Sequence, residues 1–118
     1  MTDQNLTQQN FLPSLVELVP ELKPLYQEHI TFYKEAVPGI FFASLARIVG
    51  DSARNLEGEH SPRLEVILEM IDRALSSSDD DLRESARTGF VDGISDGDIR
   101  TAIAAYNKPV LNQAMFQA

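Results

Sequence analysis

Apolar residues recur three and four positions apart through most of this 118-residue chain, and prolines divide the recurrence into segments. The clearest stripe consists of Leu22, Leu25, Tyr26, His29, Ile30, Tyr33, Ala36 and Val37. This spacing places the side chains on one face of an α-helix. No stretch alternates β-branched and polar residues over the length that a strand needs. The sequence therefore predicts an all-α fold of about six helices.

Prolines predict where the first helices begin and end. Pro13 and Pro24 each precede apolar residues, and proline suits the first helical position because its missing N–H has no hydrogen bond to lose there. Pro20 ends the first helix, since a proline disfavours the helical conformation in the residue before it. We therefore predict a short first helix over residues 13–19 and a second helix from Leu22.

Turn residues divide the middle of the chain. Pro38 and Gly39 predict a turn that closes the second helix, and the polar stretch at residues 51–60 predicts a loop. Ser61 is a favoured N-cap, and a proline follows it at the first helical position. A helix is therefore expected to start there and to end in the serine-rich turn at residues 76–78.

Capping residues delimit the last helices. Ser78 predicts an N-cap, and residues 79–81 then place three aspartates in the first turn, where the helix dipole stabilises negative charge. Three glycines spaced by four residues, of which Gly89 is the first, predict close backbone packing or turn geometry. A cap at Asp96 or Ser95 is expected to start the final helix.

The length and the hydrophobic content of the chain predict a single core. A chain of 118 residues, 43% of them hydrophobic, can bury a core without disulfides or metal. We expect one compact bundle over residues 1–118, with residues 1–10 flexible and residues 109–118 as a docked or frayed tail. The apolar faces at residues 41–42 and 66–70 also allow a homodimer, because one thin layer of helices would not cover them.

Composition argues against several classes of function. The chain has no cysteine, so it can form neither a disulfide, a thiolate nucleophile nor a sulfur-ligated metal site. Its formal net charge of −8, with ten scattered Lys and Arg residues, disfavours nucleic-acid binding. Residues 1–10 lack the pattern of a secretory signal, and no apolar stretch has the length of a membrane span. We expect a cytoplasmic protein that binds neither nucleic acid nor membrane.

The available side chains give little support for catalysis. The two histidines are His29 and His60, and His29 lies on the apolar stripe, where a buried ring with a hydrogen-bond partner is the usual outcome. We expect no catalytic residue, no cofactor and no metal site. An enzyme would require an open pocket formed by His29, Tyr26, Tyr33 and a carboxylate such as that of Glu28.

A cluster of acidic residues is the strongest surface feature. Between residues 78 and 98, seven acidic side chains accompany only Arg83 and Arg87, which gives a local charge of −5. Negative charge at the C-terminal end of a helix opposes the helix dipole, so the acidic residues at 92–98 suggest a use in binding. The predicted partner-binding residues are Asp79, Asp80, Asp81, Glu84, Asp92, Asp96 and Asp98.

Residues 64–94 combine a helix, a short turn at residues 78–80 and a second helix with Arg83 near its start. This arrangement resembles one HEAT repeat, in which two antiparallel helices form a hairpin. In such repeats the arginine of the second helix pairs with an aspartate of the turn, which implies a contact from Arg83 to Asp79 or Asp80. We expect only the geometry of the helix pair, because a single repeat is not an array.

A second resemblance extends over most of the chain. It is carried by Phe11-Leu12-Pro13 to Leu15, Leu18 to Leu22, Lys23-Pro24, Glu28-His29, Pro38-Gly39-Ile40-Phe41-Phe42 and Ser78 to Arg83. These segments resemble small bacterial all-helical proteins, some of which are similar to immunity proteins that neutralise toxins used between bacteria. The resemblance implies a non-catalytic protein whose partner is a toxin domain.

The acidic surface suggests how such a protein would work. An acidic inhibitor of a basic toxin gains association rate from electrostatic steering, and its carboxylates occupy the cationic groups of the toxin. The alternative function is a scaffold or regulatory adaptor that holds a partner helix in an apolar groove. Binding through the acidic surface should be sensitive to salt, whereas binding through an apolar groove should not.

Overall fold

The computed structural model of the protein describes residues 6–7, 9–34, 38–56 and 60–116. This part of the chain has seven α-helices, a 3-10 turn and a π-helical segment, and it has no strand. In chain order the elements are α1 (Phe11–Leu18), the 3-10 turn (Pro20–Leu22), α2 (Lys23–Tyr33), α3 (Pro38–Leu56), α4 (Pro62–Leu75), α5 (Asp80–Ser85), the π-helical segment (Ala86–Val91), α6 (Gly97–Ala104) and α7 (Pro109–Phe116). The Cα radius of gyration is 13.4 Å, as expected for one compact domain of this size. The predicted all-α fold is confirmed, with one helix more than the six or so expected.

Helix α1 begins earlier than Pro13, where we expected it to start. Before the helix, the N–H of Thr7 donates to Oδ1 of Asn10 at 2.7 Å, and the N–H of Asn10 donates to Oγ1 of Thr7 at 3.2 Å. This reciprocal pair has the form of a capping box, which satisfies amides at a helix start. Pro13 is the third residue of α1, still within the first turn, where an N–H has no partner inside the helix.

Prolines end α1 and begin α3. The predicted break at Pro20 is confirmed, because a 3-10 turn separates α1 from α2.

Helix α2 ends at Tyr33, and Lys34 follows in the left-handed conformation with a φ of 67°. The turn predicted at Pro38 and Gly39 is wrong, since both residues belong to the first turn of α3, where proline is well tolerated.

The loop predicted over residues 51–60 is helical in its first half. Helix α3 continues to Leu56, because Ala53 is buried against the core while the polar side chains around it face solvent. Residues 57–59 of the predicted loop lie outside the described residues. So do residues 35–37, which include the end of the apolar stripe predicted for the second helix.

Polar side chains cap α4 and α5 as predicted, but the cap of α5 lies one residue later than expected. Ser61 caps α4 as predicted, and its Oγ accepts a hydrogen bond from the N–H of Leu64 at 3.3 Å. The predicted N-cap at Ser78 is wrong by one residue. Asp79 is the N-cap of α5, and its carboxylate accepts a hydrogen bond from the N–H of Asp81 at 3.0 Å.

The buried Ser77 explains this shift and anchors the N-terminal segment. Its hydroxyl donates to the carbonyl of Leu6 at 2.5 Å and accepts a hydrogen bond from the N–H of Asp79 at 3.0 Å. The turn is therefore built on Ser77, so the helix starts one residue later than expected. Leu6 is itself 5% exposed. Leu6 is thus anchored to the core, whereas residues 1–5 and 8 of the end that we expected to be flexible lie outside the described residues.

Helix α3 and the π-helical segment pack closely at the centre of the bundle. A Cβ atom at Gly89 would lie 2.5 Å from the carbonyl oxygen of Gly39 and 2.6 Å from Cβ of Phe42. At Gly93 a Cβ atom would lie 3.0 Å from Cβ of Ala46. The predicted close packing at the spaced glycines is confirmed at these two positions, because only a residue without a side chain lets the two backbones approach so closely.

The apolar faces at residues 41–42 and 66–70 are largely covered within the chain. Phe42 has no exposed surface, and the centre of its ring lies 4.9 Å from that of Phe11. Phe41 is also fully buried, and Met70 is nearly so. These faces are therefore covered by α1 and its neighbours, contrary to our expectation that one layer of helices would leave them open, and the homodimer itself stays a prediction.

The C-terminal segment docks as a helix over residues 109–116. Leu111 and Met115 of α7 are buried. The N–H of Leu111 donates to Oδ1 of Asp72 in α4 at 2.8 Å, so a distant side chain caps the start of α7. The tail is therefore part of the bundle.

Arg100 of α6 joins two helix ends. Its guanidinium group donates to the carbonyl of Ile94 at 2.5 Å, to the carbonyl of Val91 at 3.0 Å and to the carbonyl of Met115. The last carbonyls of a helix have no partner inside the helix. One side chain thus satisfies carbonyls at the end of the π-helical segment, just after it and in α7.

Candidate partner-binding surfaces

The seven acidic residues predicted to bind a partner fall into two groups. The α5 acidic group consists of Asp79, Asp80, Asp81 and Glu84. The α6 acidic group consists of Asp92, Asp96 and Asp98. The two groups lie at opposite ends of the π-helical segment and border different grooves, so they do not form one continuous surface.

Arginines hold the α5 acidic group in place. Arg83 forms an ion pair with Asp80, and it also donates to the carbonyl of Ser77 at 2.6 Å. Glu84 pairs with Arg87 at 3.0 Å. The contact between Arg83 and Asp80 that the HEAT-like arrangement implied is therefore present. Each paired carboxylate still has a second oxygen for another donor, because an ionised carboxylate accepts through both oxygens.

A groove of about 500 Å³ lies between α5 and α7, beside this group. Leu75, Val110 and Ala114 supply its apolar lining, and the side chains of Asp80 and Glu84 border it together with their arginines. These two carboxylate side chains are 84% and 62% exposed. Its volume is within the usual range of binding sites, and its lining combines three apolar residues with five polar or charged ones. We call it the acidic groove.

The α6 acidic group contains the helix cap that the sequence predicted at Asp96 or Ser95. Asp96 is the N-cap of α6, accepts a hydrogen bond from the N–H of Asp98 at 2.8 Å and pairs with Arg54 at 3.3 Å. The backbone hydrogen bond from Asp98 is the main cause that lowers the pKa of Asp96. Our interpretation that these residues oppose a helix dipole was wrong for Asp96 and Asp98, because they belong to the favourable start of the next helix. Asp92 follows the π-helical segment and is exposed.

A second groove, of about 280 Å³, lies between α2 and α3. The buried ring of His29 packs edge-on against Phe41, with ring centres 5.4 Å apart, and lies 4.9 Å from the ring of Tyr33. Phe32 also lines this groove, and it is 74% exposed. Ile40 of α3 lies on the same groove and is partly exposed. We call it the α2–α3 groove.

His29 is placed for packing between aromatic rings. Burial lowers the pKa of His29, so its imidazole is mainly neutral near neutral pH. Glu28 and Tyr33 line the same groove. Tyr26, the fourth residue that an enzyme would have required, instead packs edge-on against Phe41. The structure therefore brings together three of the four side chains.

A polar cluster around Lys108 joins α4 to the chain between α6 and α7. The nearly buried Nζ of Lys108 lies 2.5 Å from Oε2 of Glu65 and 2.9 Å from Oε1 of Glu69. His60 lies 3.5 Å from Glu65, and its ring packs against that of Tyr106. Hydrogen bonds to the two glutamates raise the pKa of Lys108, and the hydrogen bond from Lys108 lowers the pKa of Glu65. The sequence did not indicate this cluster, because Lys108 is 43 residues from Glu65 and 39 residues from Glu69.

The Lys108→Met variant is expected to lose stability at neutral pH and to lose less of it in acid. The pKa of Glu65 is held below its ordinary value of 4.5 in the folded protein. The ion pair between Lys108 and Glu65 therefore stabilises the fold above that pH, and this stabilisation is lost as the pH falls through the lowered pKa. Urea unfolding is measured at a series of pH values from neutral to acid. The difference in the free energy of unfolding between wild type and variant should become smaller below about pH 4.5. A Lys23→Met control, which removes an exposed lysine, should show no such narrowing. A difference that stays constant with pH for Lys108→Met would contradict the prediction.

Two further properties concern the described part of the chain as a whole. No three His, Cys, Asp or Glu side chains among its residues lie close enough together to hold a metal ion. None of its helices is both long enough and apolar enough to cross a membrane.

The exposed Phe32 is the surface residue that sequence reasoning missed. It lies outside the apolar stripe of α2, and its neighbour Tyr33 lies on it. A large aromatic residue beside a stripe widens the apolar face of the helix beyond what the core can cover. The position of Phe32 beside the stripe was therefore the sequence feature that could have predicted its exposure.

The comparison with known families places the chain in one of them. The family model described as "Domain of unknown function (DUF7674)" matches residues 12–117. The chain belongs to this family. The matched range contains all the residues that line the acidic groove and the α2–α3 groove, so both surfaces lie within the domain that defines the family. No curated protein matches the chain, and no solved structure matches it.

Proposed function

We propose that this family member is a non-catalytic, immunity-type protein that acts in the bacterial cytoplasm, where it binds a basic segment of a cognate toxin in the acidic groove. The observation that carries the proposal is the groove itself. Its apolar lining from Leu75, Val110 and Ala114 lies beside the exposed carboxylates of Asp80 and Glu84. A lysine or arginine side chain has an apolar stem and a cationic head, so it matches both features.

The α5 acidic group is already ordered for binding. Asp79 is engaged in capping α5, and Arg83 holds Asp80 while it donates to the carbonyl of Ser77. Groups that are held in place before binding lose little conformational entropy when a partner arrives. The free oxygens of Asp80 and Glu84 can therefore accept hydrogen bonds from a cation without rearrangement of the turn.

The net charge of the whole chain also favours a basic partner. A net charge of −8 creates a field that attracts a basic partner and raises the rate of encounter. The exposed Asp81, Asp92 and Asp98 add to this field. Salt screens such a field over about 10 Å at 0.1 M, so binding through it should weaken as the salt concentration rises.

The triple variant Asp80→Asn, Asp81→Asn and Glu84→Gln is expected to bind the partner at least about tenfold more weakly than the wild type, because it removes carboxylates that face the cation. A partner is first recovered from lysate of the producing cells with the tagged wild-type chain, and it is then purified. Its affinity for both chains is measured by calorimetry at low and high salt. The proposal expects a basic protein whose affinity for the wild type falls with salt.

A matched control separates the acidic groove from net charge alone. The variant Glu17→Gln, Glu21→Gln and Asp51→Asn also removes three exposed negative charges but leaves the groove unchanged. It should change the affinity far less than the groove variant does. Recovery of only a salt-resistant partner, or equal affinity for both triple variants, would count against the proposal.

A second candidate function is supported by the α2–α3 groove. Phe32 is 74% exposed at the edge of this groove, and a helix-binding adaptor presents such an apolar anchor to its partner. The adaptor function predicts binding that salt does not weaken and that the Phe32→Ser variant abolishes. The groove variants at Asp80 and Glu84 would then have no effect on it.

A further inference from the structure

The described residues include five large apolar side chains that are substantially exposed, and three of them lie together on the α2–α3 groove. Phe32 is 74% exposed, while Tyr33 is 38% and Ile40 is 39% exposed. The other two, Leu18 and Phe116, lie on α1 and α7. A contiguous apolar patch on a folded chain usually marks a contact surface. We call Phe32, Tyr33 and Ile40 the α2–α3 patch.

Aromatic contacts connect Phe32 and Tyr33 of this patch to the core. The ring of Phe32 packs edge-on against Tyr33 with centres 4.7 Å apart, and Tyr33 packs in turn against the buried His29. His29 rests on Phe41 in the core. Rigid aromatic side chains bring large contact area with little loss of rotamer freedom, which is why they are enriched at the centres of protein interfaces.

Charge limits which partner can cover the patch. Two copies of a chain with net charge −8 repel each other, so a contact between them must avoid like charges at its edge. Glu28 lines the groove and Lys34 follows the patch at the end of α2. Both side chains are exposed, and neither forms an ion pair within the part of the chain that the structure describes. Among the described residues, Glu28 and Lys34 thus give the edge of the patch one charge of each sign.

A two-fold axis makes such an edge complementary to itself. In a contact between identical surfaces, residue i meets residue j and residue j meets residue i. Glu28 of each copy would then face Lys34 of the other, so one contact produces two ion pairs.

We propose that the α2–α3 patch binds the same patch of a second copy of this chain about a two-fold axis, with Glu28 and Lys34 paired across the contact. The contact leaves the acidic groove available, because no residue lines both grooves. It does not depend on the proposed toxin-binding function. A dimer would present two acidic grooves.

The mass of the full chain in solution tests the proposal directly, by sedimentation velocity over a wide concentration range. The wild type is expected to dimerise, and Phe32→Ser is expected to be monomeric at concentrations where the wild type is dimeric. Phe116→Ser is the matched control, since it removes a similarly exposed phenylalanine from α7 and should leave the dimer intact. Circular dichroism verifies that each variant is folded.

A charge exchange identifies the two-fold pairing. Glu28→Lys alone and Lys34→Glu alone should each weaken the dimer at least about tenfold, because each places two like-charged pairs across the axis. The double variant Glu28→Lys, Lys34→Glu should restore wild-type affinity. A monomeric wild type, a dimer unaffected by Phe32→Ser, or a double variant as weak as the single ones would overturn the proposal. A monomeric chain that binds another protein through Phe32 would assign the patch to an adaptor function instead.

Discussion

Replacement of Gly89 by alanine is expected to lower the free energy of unfolding by about 3 kcal/mol, at the upper end of the usual effect of overpacking. The added Cβ atom would lie 2.5 Å from the carbonyl oxygen of Gly39 and 2.6 Å from Cβ of Phe42. Both atoms belong to α3 and lie at or next to its backbone, so rotation of a side chain cannot relieve the contact. Helix α3 must move away from the π-helical segment, which disturbs the core between them.

The Gly97→Ala variant is the matched control for this prediction. Gly97 is the first residue of α6, and a Cβ atom there would have no neighbour within 4 Å. Its effect on stability is expected to lie within about 1 kcal/mol of zero, because only backbone entropy and helix propensity change. Urea unfolding of both variants measures the difference. Equal midpoints for Gly89→Ala and Gly97→Ala would refute the close packing.

The second large effect is expected at Arg100. The Arg100→Met variant should lower the free energy of unfolding by about 3 kcal/mol, because methionine keeps the apolar stem but leaves carbonyl acceptors without their charged donor. These acceptors are the carbonyls of Val91, Ile94 and Met115. Arg100→Lys should recover only part of the loss, since an ammonium group lacks the planar fork that reaches several acceptors at once.

Arg87→Met provides the comparison for Arg100. Arg87 makes an exposed ion pair with Glu84 on the surface of α5 and the π-helical segment. Exposed pairs contribute between about 0 and 1 kcal/mol, so this variant should unfold close to the wild type. Thermal or urea unfolding that ranks Arg87→Met as more damaging than Arg100→Met would mean that the carbonyl contacts of Arg100 do not stabilise the bundle.

The close packing at Gly89 is near both grooves. A Cβ atom at Gly89 would meet Gly39 and Phe42, which lie on either side of Ile40 in α3, and Ile40 lines the α2–α3 groove. The π-helical segment that contains Gly89 continues from α5, which borders the acidic groove. A change at Gly89 is therefore expected to disturb both surfaces, and binding tests should leave this position unchanged.

Local chemistry allowed much of the secondary structure to be predicted. The helix start at Ser61, the break at Pro20 and the cap at Asp96 follow from side-chain to backbone hydrogen bonds or from proline geometry, which act within a few residues. The errors arose where a distant contact changed a local preference. Ser77 moved the cap of α5 by one residue because its hydroxyl also bonds to Leu6.

The candidate binding surfaces were only partly predictable. The sequence identified the acidic residues but treated them as one surface, because it could not show that Asp80 and Glu84 border one groove and Asp96 borders another. The apolar lining of that groove comes from α4 and α7, which are distant in sequence. Val110 is one such residue, and nothing in its local sequence indicates its position.

The sequence by itself determined the helical class, the caps of α4 and α6, the break after α1, the absence of cysteine chemistry and the strong negative charge. Each of these depends on composition or on interactions within one or two helical turns. Only the tertiary structure decided that α7 packs on α4 and that Arg100 joins two helix ends. It also decided that the carboxylates near α5 lie beside an apolar groove. These features depend on how the helices pack, and helix packing follows from the shapes of buried surfaces that meet only after the chain has folded.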